Sequence, residues 1–348
     1  MQRRISKKVR AGALEIGGDS PVSVQSMLCV PAHDIKENLV QARRLRDAGC
    51  NIIRTAVPDM ESVKLIESLK TVGLPVVADI HFDYRLAIEA VAAGADKVRI
   101  NPGNIGGDDK VKAVAAACAV KNVPIRIGVN SGSIERDILA KYGKPTPQAM
   151  CESAMRHVRL LNKFDFDDIV ISLKSSDVPT MIEAYELLAS MCDYPLHLGV
   201  TEAGAGVPGV VKSAVGIGSL LLRGIGDTIR VSLTDDPVKE VEAGFEILRA
   251  TGLYNSGVRI VSCPTCGRTR INLIALAQEA ERRLKSVDKP LKVAIMGCAV
   301  NGPGEAREAD IGIAGGDGDG LIFKKGQILR KVPEERLLDE LMAEIDKM

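Results

Sequence analysis

The sequence repeats one pattern eight times: a short apolar run typical of a β-strand, then a longer segment typical of a helix. The apolar runs span 22–27, 51–56, 75–80, 96–101, 124–129, 168–173, 195–200 and 228–233. Eight such units are the number found in a (β/α)8 TIM barrel, an α/β fold. A doubly wound sheet is the alternative, but no Gly-x-Gly-x-x-Gly motif opens the first helical segment. The repeat therefore predicts a barrel.

The pattern changes after residue 254. Strand-like runs at 258–262, 292–296, 310–314 and 320–324 surround helical segments near 272–286 and 334–346. A chain of 348 residues is long for one domain and suits two. We predict a substrate-binding TIM-barrel domain over residues 1–254 and a smaller α+β domain over residues 255–348.

Composition argues against several classes of partner. The formal net charge is +1, aromatic residues make up 3% and Trp is absent, so nucleic-acid binding is not expected. No apolar signal-peptide core follows the basic start, and no apolar run reaches the length of a membrane span, so no membrane partner is expected. Eight cysteines without a secretory signal indicate a reducing compartment, and we expect a cytoplasmic protein.

Three cysteines of the second domain follow strand-like runs. Cys263 and Cys266 form a Cys-x-x-Cys motif after one run, and Cys298 follows the run that ends at residue 296. Glu305 lies in the Gly/Pro-rich loop after Cys298. Together they offer three thiols and a carboxylate, which are four potential metal ligands.

Three interpretations of these cysteines compete. A zinc site needs four Cys or His ligands, but all four histidines lie far upstream, so a local zinc ribbon is one ligand short. A redox dithiol leaves Cys298 and its loop unexplained. Iron–sulfur clusters are held by thiolates, with occasional replacement by another ligand. The pattern therefore favours a [4Fe–4S] cluster with one unusual iron, while zinc and a dithiol remain alternatives.

Polar and charged residues stand at the ends of the predicted barrel strands, where TIM-barrel enzymes carry their function. Four cations on four different strands could converge there: Arg54, Arg99, Arg126 and Lys174. Buried cations need anionic partners, either carboxylates of the chain or an anionic ligand. Their repetition across neighbouring strands favours a phosphate or diphosphate ligand. Glu202, after the seventh strand, is the best-placed general acid.

Specific motifs extend from residue 24 to residue 305. They are VQSM (24–27), ADIHF (78–82), VRINPGN (98–104), RIGVNSGS (126–133), LGVTEAG (198–204), IGSLLLRGIGDTIRVSL (217–233), SCPTCGR (262–268) and MGCAVNGPGE (296–305). With these motifs the chain closely resembles the family of bacterial 4-hydroxy-3-methylbut-2-en-1-yl diphosphate synthases of the non-mevalonate isoprenoid pathway.

The resemblance implies an eight-stranded barrel joined to a cluster domain similar to those of sulfite and nitrite reductases. It implies a [4Fe–4S] cluster held by Cys263, Cys266 and Cys298, with Glu305 as a replaceable fourth ligand. The implied reaction is the reductive ring opening of 2-C-methyl-D-erythritol 2,4-cyclodiphosphate with loss of water, giving (E)-4-hydroxy-3-methylbut-2-enyl diphosphate. Single electrons would come from flavodoxin or ferredoxin, in a head-to-tail homodimer where one cluster domain caps the other subunit's barrel.

The resemblance also suggests roles for the strand-end residues. We expect the four cations to grip the diphosphate with help from Asn101, Asn130 and Ser232, and Glu202 or His81 to deliver protons. Two rival interpretations are an iron–sulfur carrier with a degenerate barrel, and a redox-inert barrel enzyme that binds a phosphate ligand and carries a zinc-stabilised appended domain. The carrier has no need for the four strand-end cations, and the metal content would identify the zinc protein.

Overall fold

The computed structural model describes residues 2–101, 103–298 and 306–348. The chain divides into two compact units, Met1–Tyr254 and Asn255–Met348. Among the described residues, no helix combines the length and the apolar character that crossing a membrane requires.

The first unit is built on eight parallel strands. They are β3 (Ser23–Met27), β4 (Ile52–Ala56), β5 (Val76–Asp79), β6 (Lys97–Ile100), β7 (Ile125–Asn130), β8 (Ile169–Lys174), β9 (His197–Leu198) and β10 (Thr228–Ile229). Their order in the sheet is β8-β7-β6-β5-β4-β3-β10-β9, and a parallel bridge between Ile171 and Leu196 links the two ends. The predicted TIM barrel is therefore confirmed.

Helices follow the barrel strands and cover the sheet. They are α1 (Ile35–Asp47), α2 (Lys64–Lys70), α3 (Tyr84–Ala92), α4 (Asp108–Lys121), α5 (Arg136–Tyr142), α6 (Pro147–Asn162), α7 (Val178–Met191), α8 (Gly206–Leu222) and α9 (Pro237–Ala250). Polar caps begin several of them: Thr146, Asp177 and Asp236 each accept a backbone N–H of the first turn, and each precedes a proline within the first two helical positions. The main apolar core lies between these helices and the strands.

A hairpin before the first barrel strand was not predicted. Its strands are β1 (Val9–Ala11) and β2 (Leu14–Ile16), paired antiparallel. Ala11 and Ile16 pack against Ile52 and Val77, which stand at the starts of β4 and β5. The hairpin therefore covers the amino-terminal end of the barrel and leaves the opposite end for the site.

The second unit carries a mixed five-stranded sheet in the order β11 to β15. Its elements are β11 (Arg259–Ser262), α10 (Leu273–Leu284), β12 (Lys292–Met296), β13 (Ile311–Gly315), β14 (Asp319–Lys324), β15 (Gln327–Pro333) and α11 (Leu337–Asp346). Strands β11, β12 and β13 pair in parallel. Strand β14 pairs antiparallel with β13 on one side and with β15 on the other. One face packs Ile295, Ile313 and Ile322 against the helices, and Phe323 lies in a smaller cluster. This unit has a core of its own.

Candidate active site

A polar cavity of about 150 Å³ opens among the carboxyl-terminal ends of the barrel strands. It is lined by Arg54, Arg99, Arg126, Gly128, Asn130, Ser172, Lys174, Thr201, Arg230 and Ser232. The strand register explains this convergence, because in-register residues of neighbouring parallel strands face the same side. Arg99 is paired with Arg126, Gly128 with Ser172, and Asn130 with Lys174.

Asp79 anchors two of the four predicted cations. Its carboxylate lies 3.0 Å from Arg54 Nη2 and 3.2 Å from Arg99 Nη1, and His81 Nε2 lies 3.2 Å away. The side chain is only 1% exposed, and burial alone would raise the pKa of Asp79. Attraction to Arg54, the hydrogen bond from His81 and attraction to Arg99 outweigh burial and hold that pKa well below its usual range. Asp79 is therefore an ionised, shared counter-ion.

Arg126 and Lys174 have no such counter-ion in the part of the chain that the structure describes. Both are buried, and no Asp or Glu oxygen among the described residues lies within ion-pair distance of either. Within that part of the chain, Arg126 Nε and Nη2 also lack any hydrogen-bond partner. Burial first, then repulsion by Arg54 and Arg99, places the pKa of Arg126 well below its ordinary value. Such a guanidinium is poised to receive an anion.

Arg230 is a fifth cation of the cavity, one that was not predicted as a ligand. Its Nη2 lies 3.2 Å from Glu240 Oε1, and the same oxygen accepts the Leu233 N–H. Among the described residues, Asp79 and Glu240 are the carboxylates paired with these five cations. Within that part of the chain, three positive charges therefore lack a counter-ion when all five side chains are protonated.

The predicted site residues fall into two groups. Six line the cavity: Arg54, Arg99, Arg126, Asn130, Lys174 and Ser232. Asn101, His81 and Glu202 do not. Asn101 is buried; its amide nitrogen lies 3.4 Å from Ser133 Oγ, and its side-chain oxygen accepts the Gly103 N–H. Arg230 and Ser232 stand at alternate positions of one apolar run, and that spacing is the sequence signal that could have added Arg230.

Glu202 and His81 lie at the same end of the barrel, outside the cavity lining. Glu202 is exposed in the loop after β9 and has a φ of +52°, a backbone conformation that costs free energy for a residue with a side chain. His81 is about half exposed and remains in contact with Asp79. Both side chains are therefore accessible to a molecule that approaches the barrel mouth.

The three cysteines of the second unit lie at or near one edge of its sheet. Cys263 directly follows β11 and Cys298 comes two residues after β12, and these strands are parallel neighbours. The Gly297 N–H donates a hydrogen bond to Cys263 Sγ at 3.2 Å. The loop that carries Cys266 is tied to the same edge, because Arg270 N–H donates to the Gly297 carbonyl at 3.0 Å. Hydrogen bonding by the Arg268 backbone, then by its side chain, lowers the pKa of the exposed Cys266 thiol.

This donor set fits an iron–sulfur cluster. Soft thiolate ligands suit iron–sulfur and zinc sites, and N–H groups that donate to cysteine sulfur are a feature of cluster sites. Glu305, the predicted fourth ligand, lies outside the described residues. Among those that are described, no three His, Cys, Asp or Glu side chains come close enough together to hold a single metal ion.

Two family models match the chain: the GcpE TIM-barrel domain over residues 6–245 and the GcpE protein C-terminal domain over residues 259–347. The chain is 58% identical to a protein of Caldanaerobacter subterraneus over 99% of this chain and 98% of that one. It is 58% identical to one of Clostridium acetobutylicum over the full length of both, and 55% identical to one of Geobacter sulfurreducens over 99% and 98%. Each relative is named 4-hydroxy-3-methylbut-2-en-1-yl diphosphate synthase (flavodoxin).

Two solved structures share a fold with about 70% of this chain. Dihydropteroate synthase of Yersinia pestis superposes with a TM-score of 0.50 at 15% identity, covering 70% of this chain and 98% of that one. The Xanthomonas albilineans enzyme gives a TM-score of 0.50 at 14% identity, covering 71% and 99%. At this identity the likeness concerns the fold alone.

Proposed function

Because the chain belongs to the GcpE family, we propose that it is a flavodoxin-dependent 4-hydroxy-3-methylbut-2-en-1-yl diphosphate synthase, an oxidoreductase of isoprenoid biosynthesis. The reaction opens the ring of 2-C-methyl-D-erythritol 2,4-cyclodiphosphate, takes up two electrons and releases water. The observation that carries this proposal is the excess of buried cations over carboxylates in the barrel cavity. A phosphate-binding barrel with a zinc-stabilised appendage is not favoured by this family.

The cavity residues bind the diphosphate. Arg126, which lacks a carboxylate partner among the described residues, contributes positive charge that the phosphate oxygens need, and Lys174 contributes an N–H donor. Arg54, Arg99 and Arg230 are already oriented by Asp79 and Glu240, so little side-chain entropy is lost when they add further hydrogen bonds. Asn130 and Ser232 supply neutral polar contacts at the rim. Asn101 acts behind the cavity, through Ser133 and the turn after β7.

Cys263, Cys266 and Cys298, with Glu305, would hold a [4Fe–4S] cluster. When bound, this group supplies the one-electron chemistry that C–O bond cleavage needs and that side chains lack. The Gly297 N–H stabilises negative charge on Cys263 Sγ.

Proton delivery falls to the residues at the barrel mouth. The departing hydroxyl group must take up a proton to leave as water, and Glu202 is exposed where it can reach a bound ligand. His81 is the second candidate, since its ring contacts Asp79, which orients it. Replacing Glu202 by Gln should lower kcat while leaving diphosphate affinity nearly unchanged; loss of affinity instead would assign Glu202 to binding.

We further propose a cytoplasmic head-to-tail homodimer. The described residues that line the cavity all belong to the barrel unit, whereas the thiols belong to the other unit, and we propose that one chain's cysteine unit closes the partner's barrel. Mixing inactive Arg126→Met and Cys298→Ser subunits should then restore about a quarter of the active sites, because a mixed dimer has one intact site of two. Mixtures without activity, despite subunit exchange, would place each site within a single chain.

The first experiment is metal analysis of protein purified without air. About four irons and four acid-labile sulfides per chain are expected, followed by conversion of the cyclodiphosphate with reduced flavodoxin. Zinc without sulfide would overturn the mechanism and support the zinc-appended barrel. Iron-free protein would be reconstituted with iron and sulfide, and failure to incorporate either would count against the cluster.

A further inference from the structure

Lys174 is unusual among the lysines of this protein. It is the last residue of β8, only 8% exposed, and it lines the cavity together with Arg54, Arg99, Arg126 and Arg230. Within the described part of the chain, no carboxylate lies within ion-pair distance of its amine.

Gly199 leaves the space that the Lys174 amine occupies. A Cβ at residue 199 would lie 2.9 Å from Lys174 Nζ and 2.7 Å from the Arg230 carbonyl oxygen. Only a glycine therefore leaves room for the amine between strand β8 and the chain that follows β9. No ion pair with a described residue holds Nζ, and the close approach of Gly199 and the Arg230 carbonyl limits the space around it.

Physical chemistry favours a neutral amine at this position. An ammonium group there is removed from water and repelled by the surrounding guanidinium groups, which stay protonated more readily than lysine does. Burial, then repulsion by Arg230, Arg54, Arg126 and Arg99, places the pKa of Lys174 well below its ordinary value. Desolvation and adjacent cations are the conditions that activate a lysine as a nucleophile towards carbonyl compounds.

We propose that Lys174 is a carbonyl-reactive amine and that the cavity is a covalent, reversible binding site for small phosphorylated aldehydes. The proposal rests on the anion site of the proposed function: the arginines hold the phosphate while Nζ attacks the carbonyl carbon. A C–N bond forms, both amine hydrogens leave with the carbonyl oxygen as water, and an imine remains. Hydrolysis reverses the step, so such aldehydes inhibit the enzyme reversibly.

Other lysines are poor competitors for this reaction. Lys7, Lys141 and Lys239 pair with carboxylates at the surface, and these pairings raise their pKa values and keep them protonated. Lys97 is fully buried and does not line the cavity. Selectivity for Lys174 should therefore be greatest near neutral pH, where surface amines are charged.

The test is labelling of the intact holoenzyme with glycolaldehyde phosphate and cyanoborohydride, which delivers hydride to the imine carbon and leaves a stable secondary amine. Peptide mass spectrometry should find one adduct per chain, on Lys174. Saturating inorganic pyrophosphate should slow the labelling at least about tenfold, since both ligands need the same cations. Adducts spread over surface lysines, with no protection by pyrophosphate, would overturn the proposal.

Three variants complete the design. Lys174→Arg keeps a basic side chain in the cavity but has no primary amine, so it should abolish the adduct, whereas Lys97→Met should leave it unchanged. Gly199→Ala provides a second variant should Lys174→Arg fail to fold, because its methyl group displaces Nζ and should slow labelling. Turnover of the cyclodiphosphate is measured in parallel: turnover without labelling contradicts only this inference, whereas labelling without turnover contradicts only the proposed function.

Discussion

At the scale of single residues, Arg126 lowers the stability of the ligand-free protein and strengthens the binding of pyrophosphate. Its guanidinium is 1% exposed with two nitrogens lacking partners among the described residues, so Arg126→Met should stabilise the ligand-free protein by about 1–3 kcal/mol. The same change should weaken pyrophosphate binding about 100-fold, because a buried charge contact is lost. Denaturant unfolding and calorimetric titration measure the two effects.

Arg223→Met, at an exposed residue paired with Glu186, is the matched control and should change neither the free energy of unfolding nor the affinity for pyrophosphate. Unaltered pyrophosphate affinity in Arg126→Met would contradict the clamp.

Because of Asp79, the free energy of unfolding should depend on pH in the acid range. Because its folded-state pKa is depressed, its carboxylate stabilises the protein above the unfolded pKa near 4, and that contribution is lost as pH falls further. Asp79→Asn leaves Arg54 and Arg99 without their counter-ion and should cost about 3–5 kcal/mol at neutral pH. Unfolding free energies measured in a pH series should show this difference shrinking below about pH 4. Asp137→Asn, at a surface ion pair, should cost under about 1 kcal/mol, and an equal cost for both variants would be evidence against a buried network.

The sequence identifies the cations but not their pairing. Strand-end position predicted that Arg54, Arg99, Arg126 and Lys174 converge, and the cavity contains all four. That Asp79 serves two of them, while Arg126 and Lys174 stay without carboxylates among the described residues, depends on register between strands distant in sequence. Arg230 was missed although it lies two positions before Ser232, and its partner Glu240 lies on the following helix.

At the scale of elements, strand β7 needs a glycine to place a side chain from its neighbour. A Cβ at Gly128 would lie 2.6 Å from Arg99 Nε and 3.2 Å from its Cζ. Gly128→Ala should therefore push Arg99 away from Asp79 and weaken pyrophosphate binding about tenfold or more, with the barrel intact by circular dichroism. Gly132→Ala, where no neighbouring atom lies within 4 Å, is the matched control. Equal affinities in both variants would show that Arg99 does not contact the ligand.

The cysteine edge of the second unit offers a parallel test. A Cβ at Gly315 would lie 2.7 Å from Ile271 Cγ1 and 2.8 Å from the Gly297 carbonyl oxygen, in the segment that donates to Cys263. Gly315→Ala should therefore lower iron and sulfide content per chain, while Gly267→Ala, within the Cys266 loop but in open space, should not. Normal iron in both variants would mean that this packing does not organise the ligands.

The position of a helix or strand could be predicted only where residues close in sequence mark it. Helices α6, α7 and α9 begin with a polar cap and a proline, which are signals that the sequence shows directly. Strands β9 and β10 are only two residues long although runs of six were predicted, because ladder pairing depends on neighbouring strands and not on apolar character. The hairpin of β1 and β2 had no periodic signal, since its few apolar residues are fixed by contacts with Ile52 and Val77.

At the scale of the whole molecule, the change of sequence pattern near residue 255 reflects two separate hydrophobic cores. One core joins barrel strands to their helices, and the other joins the five-stranded sheet to α10 and α11. The spacing of apolar residues along the sequence indicates such cores, because each core is built from helices and strands formed by residues close in sequence. No periodic pattern in the sequence indicates that one chain's cysteines approach a barrel cavity, and that arrangement is therefore our proposal.

Two cores with different ligands should give two separable thermal transitions in the holoenzyme. Pyrophosphate at about 100 times its dissociation constant stabilises the form that binds it by about 2.7 kcal/mol, which should raise the barrel transition by about 5–10 °C. Anaerobic removal of iron by a chelator should instead lower the transition of the cysteine unit, because its loops would lose the proposed cluster that joins Cys263, Cys266 and Cys298. Differential scanning calorimetry of the same preparation, with each treatment alone, measures both shifts. A single transition that moves equally under both treatments would mean that the two units unfold together and that their cores do not act independently.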